Sequence, residues 1–190
     1  MAAVLLLAGC VTPRSAALPD IGDWGTRVLV LGGLDEWQFS GRIAVRAESE
    51  GFNGKLRWAQ SDNDFTAMAS GPLGAGAIRI EGDGQSVTLT DKDGVRSKLR
   101  NAELELRERY GWTIPVLSLR FWALGIPDPA SPAETSFNAD GRLENLKQRG
   151  WSVNISRYAE GGGQMMPKVL TIENSDTRVR LVIDHWIFSD

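Results

Sequence analysis

The residues able to do chemistry are few, and their spacing is poor for catalysis. The chain has one cysteine, Cys10, and one histidine, His185, in 190 residues. A disulfide needs two cysteines and a structural zinc site four Cys or His ligands, so neither can be assembled within the chain. No Asp/Asn ladder of a calcium loop occurs either. Asp184-His185 has the composition of a dyad, but neighbours on an alternating segment point to opposite faces, which favours a structural histidine. With no second histidine and no GxSxG, a serine nucleophile has no visible base. Glu103, Glu105 and Glu108 fall on one charged helical stretch and read as a solvated face. Gly71 to Gly76 spells GPLGAG, which lacks the GK[ST] of a phosphate loop and the GxGxxG of a dinucleotide site. The expectation is a protein that is not an enzyme and uses no metal and no cofactor.

The one reactive position with a context is Cys10. Residues 1–9 (MAAVLLLAG) form an apolar run ending in small residues, far short of the roughly 20 residues that span a bilayer. They read as the remnant of a secretory signal. Leu7-Ala8-Gly9-Cys10 resembles a bacterial lipobox, in which cleavage leaves the cysteine as an acylated N-terminus. No Lys or Arg precedes the run, so the leader is expected to begin upstream of Met1. Val11, rather than Asp, follows the cysteine, which implies an outer-membrane destination. Two or three acyl chains at about 0.8 kcal/mol per buried CH₂ give stable attachment. Residues 10–18 are expected to be a lipidated tether and 19–190 a single domain.

The elements behind these positions follow from periodicity. Pro19-Asp20, with Ile21, Trp24, Val28 and Leu31 at helical spacing, predicts a helix over about 20–34. From Trp37 the period is two: Trp37, Phe39, Gly41, Ile43 and Val45 share one face, and Phe52, Gly54, Leu56 and Trp58 share another. Turns at Glu50-Gly51, Asp83-Gly84 and Asp93-Gly94 separate six short antiparallel strands, a meander. A charged helix over 101–109 follows. Residues 114–125 form a third helix, opened by Pro115 and closed by Gly125. Apart from Ser118 and Arg120 it is apolar all round, as a helix buried on most sides would be. Strands resume at 134–137, 143–148 and 151–158; after a flexible loop at 160–164 come strands at 168–173 and 178–188. On the last, Val179, Leu181, Ile183, His185 and Ile187 are expected on one face. About eleven strands with the helices in two groups read as α+β, a sheet curled under helical caps. The net charge of −3 argues against nucleic-acid binding.

In this order the motifs resemble the LolB family of outer-membrane lipoproteins, within the LolA/LolB carrier–receptor superfamily. The matching residues are Cys10, Trp37-x-x-x-Gly41-Arg42-Ile43-Ala44-Val45, Trp58-Ala59-Gln60, Gly71-Pro72-Leu73-Gly74, Ile114-Pro115 through Gly125-x-Pro127, and Arg180 to Asp184 with Trp186. The helical stretch is the most specific of them. The resemblance implies an incomplete, half-open antiparallel barrel whose helices cap an apolar cavity. It implies a monomeric receptor that takes acylated lipoproteins from the periplasmic carrier LolA and inserts them into outer-membrane lipid, without ATP or metal. A structural or passive lipid-binding lipoprotein is the alternative. The implied cavity candidates are Phe39, Ile43, Val45, Leu56, Trp58 and Ile183 on strands, with Leu117, Phe121 and Trp122 on the lid. Turn chemistry leaves Leu73 either a plug on the core or an exposed apolar tip. With the resemblance, Gly71, Pro72, Leu73 and Gly74 read as a membrane-insertion loop with Leu73 at its tip.

Overall fold

The structure, a computed structural model, describes residues 15–48, 50–72, 76–83 and 86–189. The first helix, α1 (Trp24–Gly32), starts at Asp23, whose carboxylate accepts the Thr26 amide at 3.0 Å. That satisfies a first-turn donor which Pro19 and Asp20 do not reach, so the helix begins later than its periodicity predicts.

Beyond it the alternating segments form one antiparallel sheet. Its strands are β1 (Glu36–Arg46), β2 (Gly51–Ser61), β3 (Asp64–Ser70), β4 (Ile78–Gly82), β5 (Val87–Thr90) and β6 (Arg96–Leu99), followed by β7 (Glu134–Phe137), β8 (Leu143–Gln148), β9 (Trp151–Gly161), β10 (Gln164–Glu173) and β11 (Arg178–Phe188). The order β6-β5-β4-β3-β2-β1-β11-β10-β9-β8-β7 is two meanders joined where the first strand pairs with the last. Edges β6 and β7 do not pair with each other, so the fold is an open, incomplete barrel. Helices α2 (Ala102–Tyr110) and α3 (Val116–Leu124) lie between those edges in sequence. The insertion that interrupts the meander also lays α3 onto β10. Helix α1 closes the other flank, its Trp24 ring 4.8 Å from Phe137 of β7.

Two glycines let the sheet coil. A Cβ on Gly41 would stand 2.1 Å from the Val182 carbonyl oxygen, and one on Gly54 2.2 Å from that of Ser70. Strands approach there more closely than any side chain permits.

Two further features depart from the sequence expectation. Ser40 pairs with His185 and Gly41 with Ile183, leaving Asp184 as an extra residue in β11. Val179, Leu181 and Ile183 are buried as alternation requires, but the bulge then exchanges the faces. His185 is exposed, and Trp186 and Phe188 pack on the core. One inserted residue reverses every later side chain, so His185 and Ile187 leave the face the alternation assigns them. The stretch at 160–164 is a tight hairpin rather than a loop. Gly162 and Gly163 sit at φ 61° and 76° between the paired Gly161 and Gln164, a turn open to glycine at little cost.

Candidate functional site

The concave side of the sheet is apolar from β3 to β10. Leu56 and Ile183 flank Gly41 in one cross-strand row; Ile43 lies opposite Gly54 and Leu181, and Val45 opposite Phe52 and Val179. Phe39 and Trp58 stack with centroids 6.2 Å apart, and Trp58 stacks on Phe65 at 4.7 Å. All six strand candidates are therefore on this one face, and each is at most 4% exposed. Their neighbours include Trp37, Phe65, Trp186 and Phe188, with Trp186 5.4 Å from Phe39. Trp37 was legible in the alternation. Trp186 and Phe188 were not, because the bulge at Asp184 turns them inward.

Lid helix α3 divides the other three candidates. Trp122 is fully buried, and Phe121 is half-buried with the Arg120 guanidinium 4.7 Å above its ring. Leu117 is 51% exposed. It lines a cleft of about 240 Å³ with Val87, Leu99 and Ala102, at the rim rather than the interior. Ser118 takes the inward position instead, 3% exposed and donating to Asp128 Oδ2 at 2.9 Å. A buried hydroxyl with a charged acceptor holds that orientation more firmly than a leucine in the same place would.

Polar groups fasten the lid. Trp122 Nε1 donates to Gln148 Oε1 at 2.8 Å, and Gln148 Oε1 also accepts the Asp128 amide at 2.9 Å. Gln148 Nε2 donates to the carbonyls of Asp128 and Ser131. Arg149 Nε meets Asp128 Oδ2 at 2.9 Å. On the opposite rim Arg120 donates to the Asp62 carbonyl at 3.3 Å. Asp62 and Arg149 have φ of 49° and 52°, in the left-handed region that non-glycine residues seldom occupy. Both turns that hold the lid are built on such residues. No sequence pattern announced this cluster, since Gln148 lies 17 and 20 positions from the backbone carbonyls it bonds.

Charges at the walls are held by burial and hydrogen bonds. Arg27 of α1 is 4% exposed and donates to the Met165 carbonyl at 3.0 Å. Glu103 is not part of a solvated face: it accepts from Trp151 Nε1 at 3.2 Å, and burial raises its pKa. Glu105 accepts the Arg100 and Asn101 amides, which lowers its pKa and caps α2. Tyr158 donates to the Leu143 carbonyl at 2.7 Å, and burial pushes its phenol from 10.0 up to about 12. The fold thus favours the neutral phenol. That stabilisation is complete below pH 10 and is lost as pH rises towards 12, by at most about 3 kcal/mol. Urea unfolding of wild type should lose stability over that window more steeply than Tyr158→Phe; parallel curves would reject the assignment.

Of the loop residues, Gly71 is half-buried and Pro72 exposed at the end of β3, while Leu73, Gly74 and Cys10 lie outside the described residues. Among the described residues no helix is long and apolar enough to cross a membrane, and no cluster of three metal-ligating side chains occurs.

Residues 35–186 match the family model described as outer membrane lipoprotein LolB. An outer-membrane lipoprotein LolB of Pseudomonas aeruginosa is 37% identical over 188 residues, covering 97% of this chain and 92% of that protein. One from Nitrosococcus oceani is 36% identical over 187 residues, with coverage of 96% and 92%. The fold is similar to that of a LolA superfamily protein from Nitrosomonas europaea, with TM-score 0.54 and 9% identity over 83% of this chain and 88% of that one. A DUF1329 family protein from Desulfovibrio piger gives 0.56 at 6% identity, covering 86% and 89%. An eleven-stranded open barrel, an apolar interior under a helical lid and identity along nearly the whole length agree: the chain belongs to the LolB family of outer-membrane lipoproteins.

Proposed function

We propose that the chain, anchored through an acylated Cys10 and facing the periplasm, accepts acylated lipoproteins from the carrier LolA between α3 and the sheet interior and delivers them to the outer membrane. The observation that supports this most directly is the continuous apolar, aromatic-rich interior beneath a helix fastened at its rim by polar contacts. Phe39, Ile43, Val45, Leu56, Trp58 and Ile183 form the wall, and Trp122 and Phe121 are the lid groups that acyl chains replace. Flexible chains need no single fit, so ring faces suit them as well as a shaped pocket would.

Energetics set the direction. Three exposed acyl chains cost tens of kcal/mol at about 0.8 kcal/mol per CH₂, so cargo never travels free in water. Transfer without an energy source needs affinity that increases from carrier to receptor to bilayer. A bilayer, with unlimited apolar volume, is the natural sink. In this scheme the chain carries out no covalent step.

The test uses the full chain with Cys10→Ser, mixed with an acylated lipoprotein–carrier complex. Cargo is expected to move to the receptor and then to added vesicles. Absence of transfer with retained fatty-acid binding would instead make the chain a passive lipid-binding lipoprotein. A second variant examines the loop. Burying one leucine side chain in lipid yields only about 2 kcal/mol, too little to anchor but enough to orient the mouth. Leu73→Glu is expected to leave acceptance intact and impair delivery. Loss of cargo binding would place Leu73 in the cavity and defeat the tip reading.

A further inference from the structure

The outer face of the sheet carries a second feature at the same end as the loop. A groove of about 730 Å³ runs over β2, β1 and β11, lined by Arg42, Ala44, Lys55, Arg180 and Val182 and bordered by Gly71 and Pro72. Its floor is apolar and its rim cationic, and no carboxylate is among its lining residues. Arg42 stands directly opposite Lys55 across the β1–β2 pair, and Arg180 opposite Ala44, two residues further along. Like charges placed directly opposite oppose strand pairing. Asp184 offsets one of them, bonding Arg42 at 3.0 Å. Lys55 and Arg180 have no carboxylate within ion-pair distance among the described residues. The chain as a whole carries a net charge of −3, so a cationic groove on it is a local concentration of charge against the average.

We infer that this groove binds the phosphate headgroups of an anionic phospholipid surface and holds the loop end of the barrel against the bilayer. Phosphate oxygens match the free Lys55 ammonium and Arg180 guanidinium, while the glycerol and upper acyl region matches the floor of Ala44 and Val182. Gly71 and Pro72 belong to the groove itself, so whatever fills it also meets the base of the loop. The inference rests on the reading of that loop as the bilayer-facing end, but not on cargo transfer.

The full chain with Cys10→Ser, which lacks an acyl anchor, is sedimented with phosphatidylethanolamine vesicles with and without phosphatidylglycerol, at low and high salt. Binding is expected to require phosphatidylglycerol and to weaken with salt. A cation near an anionic surface contributes about fivefold in affinity, so Lys55→Gln with Arg180→Gln should lose about 25-fold. Lys98→Gln with Lys147→Gln, on the edge strand β6 and on β8 beside the other edge, makes the same change in net charge and should lose far less. Equal losses in the two pairs, or binding indifferent to phosphatidylglycerol, would overturn the inference. So would a groove pair that keeps vesicle binding and loses capture of the carrier, which would make the groove a protein interface. No cargo is present, so failure here is separable from failure of lipoprotein transfer.

Discussion

Gln148→Leu is expected to raise the lid-opening equilibrium about a hundredfold while the sheet stays folded. Gln148 is 3% exposed, and its amide serves four partners: Trp122 Nε1, the Asp128 amide, and the Asp128 and Ser131 carbonyls. Leucine is similar in size and offers none of these bonds. At about 0.7 kcal/mol net for each of the four lost bonds, in the lower half of the usual range, the closed form loses about 3 kcal/mol. An opened lid gives the same groups access to water, so the cost falls mainly on the closed form. About 2.7 kcal/mol is a hundredfold in that equilibrium. Hydrogen exchange of the α3 amides should accelerate by that factor while β1 and β11 amides lag well behind, and Tm should fall by about 6–12 °C. Unchanged α3 exchange would remove Gln148 from the lid mechanism. For the proposed transfer the consequence is directional. A closed lid lowers apparent affinity by the fraction of molecules that are open, so the variant should capture cargo more tightly and release it to vesicles more slowly. In that proposed scheme the wild-type lid contacts would keep the receptor's affinity below that of the bilayer.

Gly41→Ala should be among the most damaging single-methyl additions to this chain. The new Cβ would lie 2.1 Å from the Val182 carbonyl oxygen and 3.0 Å from Ile183 Cα, both backbone atoms with no rotamer to move. Relief would require parting β1 from β11 beside the Asp184 bulge. Those strands form the seam between the two meanders, so the strain reaches both halves of the barrel. A cost of about 3 kcal/mol or more is expected, at or above the upper range for over-packing. Gly163→Ala is the comparison: its φ is 76° and nothing lies within 4 Å of the added methyl. That change should cost about 1–2 kcal/mol for backbone conformation alone. Equal thermal stabilities of the two variants would show that the close approach at Gly41 is not what limits the seam.

Both variants act where local pattern and long-range pairing meet, and that meeting also divides what was legible in the chain. Alternation from Trp37 to Val45 and from Phe52 to Trp58 determined which residues face inward, because the period of a strand is local and survives any choice of partner. The helical insertion between Leu99 and Glu134 was equally legible, since Pro115 and Gly125 mark the ends of α3. The lipobox expected at Cys10 is a linear signal, and it lies outside the described residues. The pairing of β1 with β11 decided the rest. It put the bulge at Asp184, turned Trp186 and Phe188 into the interior, and moved His185 out. Tertiary packing also set the rotation of α3, burying Ser118 against Asp128 and exposing Leu117, although hydropathy ranks them the other way. Gln148 acquired its role only when the end of β8 came beside the segment following α3. A side chain's face is written in its neighbours along the chain, whereas its hydrogen-bond partner and the position of a bulge depend on which distant strands pair. The apolar interior is therefore a property of the sequence, and the lid that closes it is a property of the fold.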